Sequence, residues 1–370
     1  MKVWPVLAVV LIQVILLLAH WFLFHTVVAF WPLTLDAQRC LAIALLLLGV
    51  SFVAAALLSH RYSNSPVRIL YKIAAVWLGV FNFLFWAACL CWLGRFALYM
   101  ARHDNVSSRQ YLAALLFGLA FLTSFYGLLN ARRIRERRLT ITLPNLPLSW
   151  RGRTALLISD MHLGNVNGAP FARRIAGIAT RLSPHIILIA GDLFDGSKVD
   201  PNHVASPLFA MAPPFGTYFS GGNHEDFGDP AQYESALIRG GIHVLHNRRV
   251  LADGLQIAGV SYADSTRPTQ LRSFLDSLHL ESGHASILLN HVPSQLPIVE
   301  AAGVNLQVSG HTHGGQFFPF TWITQHAFRQ YTYGLNPHGK LLVLTSSGVG
   351  TWGPPLRVGT APEVVLITFA

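Results

Sequence analysis

Four long apolar runs at the start of the sequence constrain its fold more than any other feature. They cover residues 3–31, 40–59, 69–99 and 111–131, and each reaches or exceeds the roughly 20 residues that a helix needs to cross a bilayer. Apolar residues make up 52% of the chain and charged residues only 12%, a composition too apolar for an ordinary soluble protein. The sequence therefore predicts a region of four transmembrane helices.

The first apolar run has an alternative interpretation as a cleaved signal peptide, with Lys2 as its basic end. The run is much longer than the usual apolar region of roughly 7 to 15 residues, and it shows no clear cleavage site between small residues. Three more spans also follow it. We therefore expect the run to be retained as the first span.

The charges are divided unevenly along the chain. Residues 1–138 contain thirteen Lys and Arg but three acidic residues, a net charge of +10, whereas residues 139–370 contain fourteen of each kind. The excess positive charge therefore surrounds the spans and indicates an interaction with lipid. Because the rest of the chain is neutral, we expect no nucleic-acid partner.

Four spans place both ends of the chain on the same side of the membrane. The cluster "RRIRERR" at residues 132–138 would lie on that side with Lys2, Arg61, Arg68 and Lys72, and the positive-inside tendency makes that side cytoplasmic. The opposite loops also carry arginines, so this orientation rests mainly on the cluster, which forms a basic linker or a linker helix that contacts anionic headgroups. We expect an integral protein of a bacterial inner (plasma) membrane with its soluble domain in the cytoplasm.

The pattern changes after residue 138, which divides the chain into a membrane domain, residues 1–138, and a soluble domain, residues 139–370. Short β-branched or leucine-rich runs there alternate with helical stretches. The predicted strands are residues 155–159, 185–190, 217–221, 255–261, 285–290, 305–310, 340–346 and 363–369. The predicted helices are residues 169–182, 230–239 and 268–279. This alternation predicts an α/β layered fold.

Five of the predicted strands end in a small polar cluster, often beside a glycine. The clusters are "SDMHLG" with Asp160 and His162, "GDLFDG" with Asp192, "GNHED" with Asn223 and His224, "NHVP" with His291, and "GHTHGG" with His311 and His313. In open α/β sheets, ligands bind just beyond the carboxyl ends of the strands. We therefore expect the five clusters to line one crevice.

The residue types in these clusters are typical of a site for two divalent metal ions. Carboxylates, imidazoles and an Asn carbonyl suit Mn, Fe or Zn, and thiolates are excluded because all three cysteines lie in or beside the spans. Two ions roughly 3.5 to 4 Å apart share a bridging carboxylate, and Asp192, alone in its cluster, is the predicted bridge. With only two carboxylates among seven ligands, the ions keep a net positive charge, which favours a phosphate ester as substrate.

Each cluster also has a purely structural interpretation. Asp160 could cap a turn, Asp192 could begin a loop, Asn223 and His224 could form an Asx-turn, and His291 could be a histidine satisfied in the core. All of these interpretations would have to hold at once in five separate clusters. We therefore favour the metal site.

The five clusters follow one another along the chain as D-x-H, G-D, G-N-H, H and G-H-x-H. This order of motifs resembles that of the calcineurin-like metallophosphoesterase superfamily. The "GHTHGGQ" motif and the tail after residue 330 resemble its YkuE-type branch. The resemblance covers residues 139–370 and implies a sandwich of two mixed β-sheets flanked by helices. It implies one metal ion held by Asp160, His162, Asp192 and His313, and a second held by Asp192, Asn223, His291 and His311. It also implies that His224 does not bind metal but faces the phosphate as the catalytic residue.

The expected function is that of a membrane-anchored phosphodiesterase or pyrophosphatase with two divalent ions, Mn²⁺ being favoured. It would hydrolyse a lipid-linked phosphate or diphosphate by attack of a hydroxide held between the ions. One alternative is a phosphoesterase for soluble nucleotides or phosphoproteins that is merely anchored. The other is a non-catalytic membrane sensor, and the complete set of site residues counts against it.

Two features lie outside the five clusters. Arg357 in "PPLRVG" could bind a substrate phosphate through its planar guanidinium, or it could be an ordinary surface arginine. The segment "FFPFTWI" at residues 317–323 could pack in the core, or it could form an apolar flap that dips into the bilayer and admits an acyl chain.

Overall fold

The computed structural model describes residues 3–370, with side chains from residue 6 onwards. Lys2, the basic end in the signal-peptide interpretation, lies outside the described residues. The chain divides into two compact units. One comprises Met1–Leu129 with Gly353–Leu356, and the other comprises Asn130–Trp352 with Arg357–Ala370.

Four helices form the first unit as far as the chain is described. They are α1 Val3–Phe30, α2 Leu35–Arg61, α3 Ser65–Met100 and α4 Val106–Ala131, and all four are long and apolar enough to cross a membrane. Side chains cap two of the helix starts, since Thr34 accepts from Ala37 N and Asn64 accepts from Val67 N. The predicted four-helix region is therefore confirmed.

Polar side chains inside these helices have partners within the same unit. The indole N–H of Trp77 donates to His20 Nε2 at 3.0 Å, and that of Trp92 donates to Thr26 Oγ1 at 2.9 Å. Both pairs join α1 to α3. An unpaired polar group in hydrocarbon is costly, so such pairs stabilise the packing of the two helices.

Two six-stranded sheets form the second unit. The strands are β1 Arg135–Ile141, β2 Thr154–Ile158, β3 Ile186–Ala190, β4 Thr217–Ser220, β5 Ile242–Val244, β6 Arg248–Ala252, β7 Leu255–Gly259, β8 Ser286–Leu289, β9 Leu306–Ser309, β10 Gly334–His338, β11 Leu341–Thr345 and β12 Glu363–Phe369. The helices are α5 Ala169–Leu182, α6 Pro201–Ala205, α7 Pro230–Arg239, α8 Tyr262–Ser265, α9 Pro268–Ser277, α10 Leu296–Ala301 and α11 Phe320–Phe328. All eight predicted strands and all three predicted helices are present.

Both sheets are mixed. The first has the order β1-β12-β2-β3-β4-β5 and the second the order β10-β11-β9-β8-β7-β6. Only the pairs β12–β2, β6–β7 and β10–β11 are antiparallel among the described strands. The predicted fold class, a metallophosphoesterase-like sandwich of two mixed sheets flanked by helices and preceded by four apolar helices, is confirmed.

The sandwich follows from the alternation of side chains along the strands. Leu157 and Leu188 of the first sheet pack with Ile287 and Val308 of the second in a core between the sheets. Their chain neighbours face the opposite way, so that Ile158 packs against the helices on the outer side of the first sheet. Because both faces are covered, these strands are apolar throughout.

The basic cluster at residues 132–138 differs from its prediction. Most of it belongs to β1, which pairs in parallel with β12, and the interpretation as a linker helix is therefore wrong. Leu139 and Ile141 pack on the core between the sheets, while Arg138 and Thr140 are exposed. At the edge of a sheet, exposed charged side chains are tolerated.

Candidate metal centre

The five polar clusters meet at one end of the sandwich. They follow the carboxyl ends of β2, β3 and β4 in the first sheet and of β8 and β9 in the second. Three groups of side chains place their possible ligand atoms within 4.8 Å of one another. They are Asp160 with His162 and His313, His162 with Asp192 and His224, and Asp192 with His291 and His311. The structure therefore brings the clusters together, and Asp192 and His162 each belong to two of the groups.

The backbone of the clusters is held in an unusual conformation. Five of the seven predicted ligands have a left-handed backbone, with φ between 48° and 69°, namely Asp160, His162, Asp192, His311 and His313. This conformation is costly for residues other than glycine and persists where the surrounding structure requires it, which is often at functional sites. A turn at each strand end therefore directs these side chains into the crevice.

The first group of side chains lies around His313. Its Nε2 is 2.9 Å from His162 Nε2 and 3.5 Å from Asp160 Oδ1. His162 Nε2 is in turn 3.8 Å from Asp192 Oδ2. The four residues that the resemblance assigns to one metal ion are thus together.

The second group lies on the other side of Asp192. His291 Nε2 is 3.1 Å from Asp192 Oδ2, and His311 Nδ1 is 2.9 Å from Asn223 Oδ1. The other ring nitrogen of His291, Nδ1, donates to the carbonyl of Ala190 at 2.8 Å. Such a contact fixes the ring so that its Nε2 faces the site.

The donor set fits a pair of divalent ions. Among the described residues, Asp160 Oδ2 is a buried acceptor without a hydrogen-bond partner, and such an acceptor is costly when nothing neutralises it. Two carboxylates, one amide oxygen and four imidazoles form the mixed set that Mn, Fe or Zn prefers. The residues present therefore fit the pair of divalent metal ions that the sequence predicts.

Three of the imidazoles are uncharged at neutral pH. Burial holds the pKa of His162 and of His313 well below the ordinary value, and the positive charge of Arg357 lowers that of His313 further. Burial also lowers the pKa of His311 to about 4. Neutral imidazole is the form that binds a metal ion, so no proton has to leave these rings first.

The remaining charges balance one another around His291. Burial raises the pKa of Asp160 to about 6 against the opposing charge of His291. Burial would also raise the pKa of Asp192, but the positive charge of His291 outweighs it and holds the pKa well below its usual range. Burial in turn lowers the pKa of His291, but Asp192 raises it to about 10. In the metal-free chain, His291 therefore keeps a proton whose charge a bound cation would replace.

Known proteins resemble the second unit. The model of the calcineurin-like phosphoesterase family matches residues 153–315. An uncharacterized metallophosphoesterase of Aquifex aeolicus is 31% identical over 258 residues, which cover 68% of this chain and 97% of that protein. The chain belongs to the calcineurin-like metallophosphoesterase family.

Two further relatives agree with the sequence analysis. The uncharacterized metallophosphoesterase YkuE of Bacillus subtilis is 30% identical over 282 residues, which cover 72% of this chain and 98% of that protein. A "Transmembrane protein with metallophosphoesterase domain" of Danio rerio is 28% identical over 320 residues, which cover 81% of this chain and 72% of that protein. The predicted family resemblance, including that to the YkuE-type branch, is confirmed, and this metallophosphoesterase is a membrane protein.

His224 lies beside Asp192. Its backbone N–H donates to Asp192 Oδ1 at 2.9 Å, and its Nδ1 is 3.0 Å from the carbonyl oxygen of Asp195. The buried ring packs edge-on against the exposed rings of Phe227 and Trp352, with centroid distances of 4.9 and 6.0 Å. The backbone and Nδ1 contacts hold the ring next to both ligand groups.

Glu225 is a site residue that the sequence analysis missed. Its buried carboxylate accepts from the backbone N–H groups of Asp192 at 3.0 Å, Phe194 at 2.9 Å and Gly222 at 2.6 Å. Burial and the nearby Asp192 raise its pKa to about 7. The carboxylate ties the strand ends of β3 and β4 together in this metallophosphoesterase. The feature of the sequence that could have indicated Glu225 is an acidic residue directly after "GNH".

Arg357 has neither of the positions expected for it. The side chain is fully buried, so it is not a surface arginine. Its two terminal nitrogens donate to backbone carbonyls of the same unit, so they are not directed at a substrate phosphate. Both interpretations are wrong because inward-pointing carbonyls surround the guanidinium. Burial lowers its pKa to about 10, and it remains charged at neutral pH.

The segment "FFPFTWI" is mostly exposed. Phe317 is buried, but Phe318, Phe320, Trp322 and Ile323 are 46% to 67% exposed, and α11 contains no buried residue. Core packing therefore describes Phe317 alone. At the end of α11, the ring of Phe328 lies 5.9 Å from that of His311.

Proposed function

We propose that this metallophosphoesterase is an active, two-metal hydrolase of phosphoric esters. The observation that supports it most is the convergence of eight predicted side chains at one end of the sandwich, with three neutral imidazoles and with Asp192 Oδ2 lying 3.8 Å from His162 Nε2 and 3.1 Å from His291 Nε2. A sensor that only binds a ligand has no chemical need for this arrangement. The order and spacing of the residues match the family motifs as well.

In this proposal, each ion has three residues of its own and both ions share Asp192. The residues are Asp160, His162 and His313 for one ion, and Asn223, His291 and His311 for the other. When bound, two such ions lower the pKa of a water nucleophile and neutralise charge on the phosphoryl oxygens, and we favour Mn²⁺. Because the ligands supply only two negative charges, the site prefers an anionic ester over a neutral peptide or sugar.

His224 is the proposed catalytic residue. The contacts of its backbone N–H with Asp192 and of its Nδ1 with Asp195 leave Nε2 for the substrate. From that position the ring stabilises a phosphoryl oxygen by hydrogen bonding or gives a proton to the leaving oxygen. Such a contact is worth roughly 10² to 10⁴ in rate.

The reaction class is tested with the full-length chain in nanodiscs and bis-p-nitrophenyl phosphate as substrate. We expect hydrolysis with Mn²⁺, and we expect His224→Ala to lower kcat by about 10² or more while Mn²⁺ binding is retained. The exposed His279 provides the matched control, since His279→Ala should leave kcat unchanged. Equal kcat values for the two variants would refute the role of His224.

We further infer that the substrate is a lipid-linked phosphate or diphosphate. Four helices tether the chain to a membrane, which keeps lipid substrates at a high local concentration. The helix α11 exposes Phe320, Trp322 and Ile323 and contains no Asp, Glu, Lys or Arg. Exposed apolar patches of this kind are typical of lipid-contacting surfaces, and the contact between Phe328 and His311 puts the carboxyl end of the same helix beside the candidate site.

Mixed micelles test the substrate class. The chain should hydrolyse a lipid phosphodiester faster than a water-soluble diester of equal phosphate chemistry. The double variant Trp322→Ser with Ile323→Ser should slow the lipid reaction and leave the soluble one unchanged. Ile238, 60% exposed on α7, offers the control variant Ile238→Ser. Faster turnover of the soluble diester would favour a nucleotide or phosphoprotein substrate instead.

We also propose a bacterial inner-membrane location with the catalytic unit in the cytoplasm. The support is the basic cluster at residues 132–138, which follows the last span directly. A membrane-impermeant thiol reagent applied to intact cells should fail to label a cysteine placed at exposed Arg173 in a chain without its native cysteines. Labelling before cell lysis would reverse the orientation.

A further inference from the structure

Arg357 makes an unusual set of contacts for a charged side chain. It is fully buried in the second unit. Its Nη1 donates to the carbonyl of His313 at 2.6 Å, and its Nη2 donates to the carbonyls of Ser347 at 2.8 Å and Gly350 at 2.6 Å. Nη2 also lies 3.0 Å from Nδ1 of His313. One side chain thus connects a candidate metal ligand to a separate backbone segment, residues 346–350.

The segment 346–350 contacts the other side of the same ligand group. The N–H of Val349 donates to the carbonyl of Ser159, and that of Gly350 donates to the carbonyl of Asp160, both at 2.9 Å. A Cβ atom on Gly348 would lie only 2.7 Å from Cβ of Asp160. Arg357 therefore joins the turn that carries His313 to the segment that packs on Asp160.

The guanidinium also determines the orientation of the His313 ring. It has donors but no acceptor, so Nδ1 of His313 faces it as an acceptor, in a bond that shares the two N–H groups of Nη2 with the carbonyls of Ser347 and Gly350. With Nδ1 held in this way, Nε2 points towards His162 Nε2 at 2.9 Å and Asp160 Oδ1 at 3.5 Å. The ring of His291 is oriented differently, by the carbonyl of Ala190. A change at Arg357 therefore leaves the orientation of His291 intact.

Electrostatic attraction does not explain why a cation lies here. A positive charge next to a divalent ion opposes metal binding. The carboxylates of Asp160 and Glu363 offset part of this repulsion. Another stabilising contribution must offset the rest. That contribution is geometric, because a planar guanidinium is the side chain that can bond several carbonyls and a ring nitrogen at once.

We propose that Arg357 is a positioning residue that sets the affinity of one ion, the ion of the group Asp160, His162 and His313. It does so by fixing the His313 ring and the segment 346–350, without touching the substrate or the second ion. The inference rests on the proposed two-metal centre. Loss of residues that orient metal ligands typically lowers metal affinity about 10- to 100-fold.

The test is a Mn²⁺ titration of the full-length chain in nanodiscs, followed by calorimetry and electron paramagnetic resonance. We expect Arg357→Lys, which keeps the charge but loses most of the hydrogen bonds, to weaken one ion about 10- to 100-fold. The other ion should bind as before. At intermediate Mn²⁺ the variant should give the spectrum of an isolated ion, where the wild type gives that of a coupled pair. Arg173→Lys, at an exposed position on α5, is the matched control.

Two results would overturn the proposal. If Arg357→Lys lowers the affinity for both ions equally, Arg357 is a general structural residue. If it lowers the affinity for neither ion, Arg357 has no role in metal binding. If the lysine variant does not fold, Arg357→Gln is titrated in the same way, since it keeps a planar donor.

A measurement on the unaltered protein makes the test independent of folding. The ¹⁵N resonance of His313 Nδ1 in the metal-free wild type should be that of an unprotonated acceptor, and a proton on Nδ1 would overturn the proposal. A wild type that binds no Mn²⁺ would refute the two-metal centre itself. If the wild type binds two ions and the Arg357 variant binds both with unchanged affinity, only the role of Arg357 is refuted.

Discussion

Replacing Gly222 by alanine should damage the metal centre, whereas the same change at its neighbour Gly221 should not. The two glycines stand next to each other in "SGGNHE". A Cβ on Gly222 would lie 2.2 Å from Asp192 Oδ1, 2.7 Å from Asp192 N and 2.8 Å from His291 Cδ2. A Cβ on Gly221 would meet nothing closer than Glu225 Oε2 at 4.0 Å.

The distances give the size of the effect. The added methyl must move at least 1 Å from Asp192, and rotation of that side chain is not enough because the backbone nitrogen is also in contact. Overpacking of this kind costs about 1 to 3 kcal/mol, which lowers the unfolding midpoint of a unit of this size by roughly 2 to 12 °C. Because Asp192 and His291 both move, the affinity for Mn²⁺ should fall about 10-fold or more.

The assay compares Gly222→Ala and Gly221→Ala by thermal unfolding without metal and by calorimetric Mn²⁺ titration. We expect the Gly221 variant to match the wild type in both measurements. A Gly222 variant with wild-type Mn²⁺ affinity would refute the close approach of Gly222 to Asp192, and with it the arrangement of the two ligand groups. If both variants lose the same stability and the same Mn²⁺ affinity, the cause is the loss of glycine flexibility and not the contact with Asp192.

Two further predictions follow from the site. Mn²⁺ affinity should rise with pH between 5 and 8, because the pKa values of about 6 for Asp160 and about 10 for His291 mean that protons must leave both groups before an ion binds. Calorimetry in buffers of different ionisation enthalpy should detect the released protons, and an affinity independent of pH would contradict the charge assignment. Gln316→Leu should speed amide exchange at Trp352, since the Gln316 side chain bonds both the N–H and the carbonyl of Trp352, at 2.7 and 3.0 Å. Unchanged exchange at Trp352 would show that these bonds do not hold the segment.

The sandwich was largely predictable because its strands are short apolar runs with clear ends. Runs such as residues 186–190 are buried on both faces and stop at a glycine or a polar cluster. The strand β1 was missed because Arg135, Arg137 and Arg138 make it look like a linker, and its partner β12 lies more than 220 residues away along the chain. Edge strands with exposed charged side chains show little of the apolar pattern by which a strand is predicted from sequence.

The candidate ligands were predictable for a related reason. They stand at strand ends, and the ends of parallel strands in a layered fold converge. The contacts of the side chains that hold the ligands in place were not predictable. Glu225 accepts from backbone N–H groups and Arg357 donates mainly to backbone carbonyls, and every residue offers such partners. Only the folded chain determines which of them come within reach.

We propose that two divalent ions share Asp192 and that the pair carries the phosphoesterase activity. The most direct measurement counts bound Mn²⁺ and follows bis-p-nitrophenyl phosphate hydrolysis on the same samples of wild type and Asp192→Ala. We predict about two ions per chain and turnover for the wild type, and loss of both tight ion binding and turnover for the variant. A variant that hydrolyses the diester as fast as the wild type would contradict the claim.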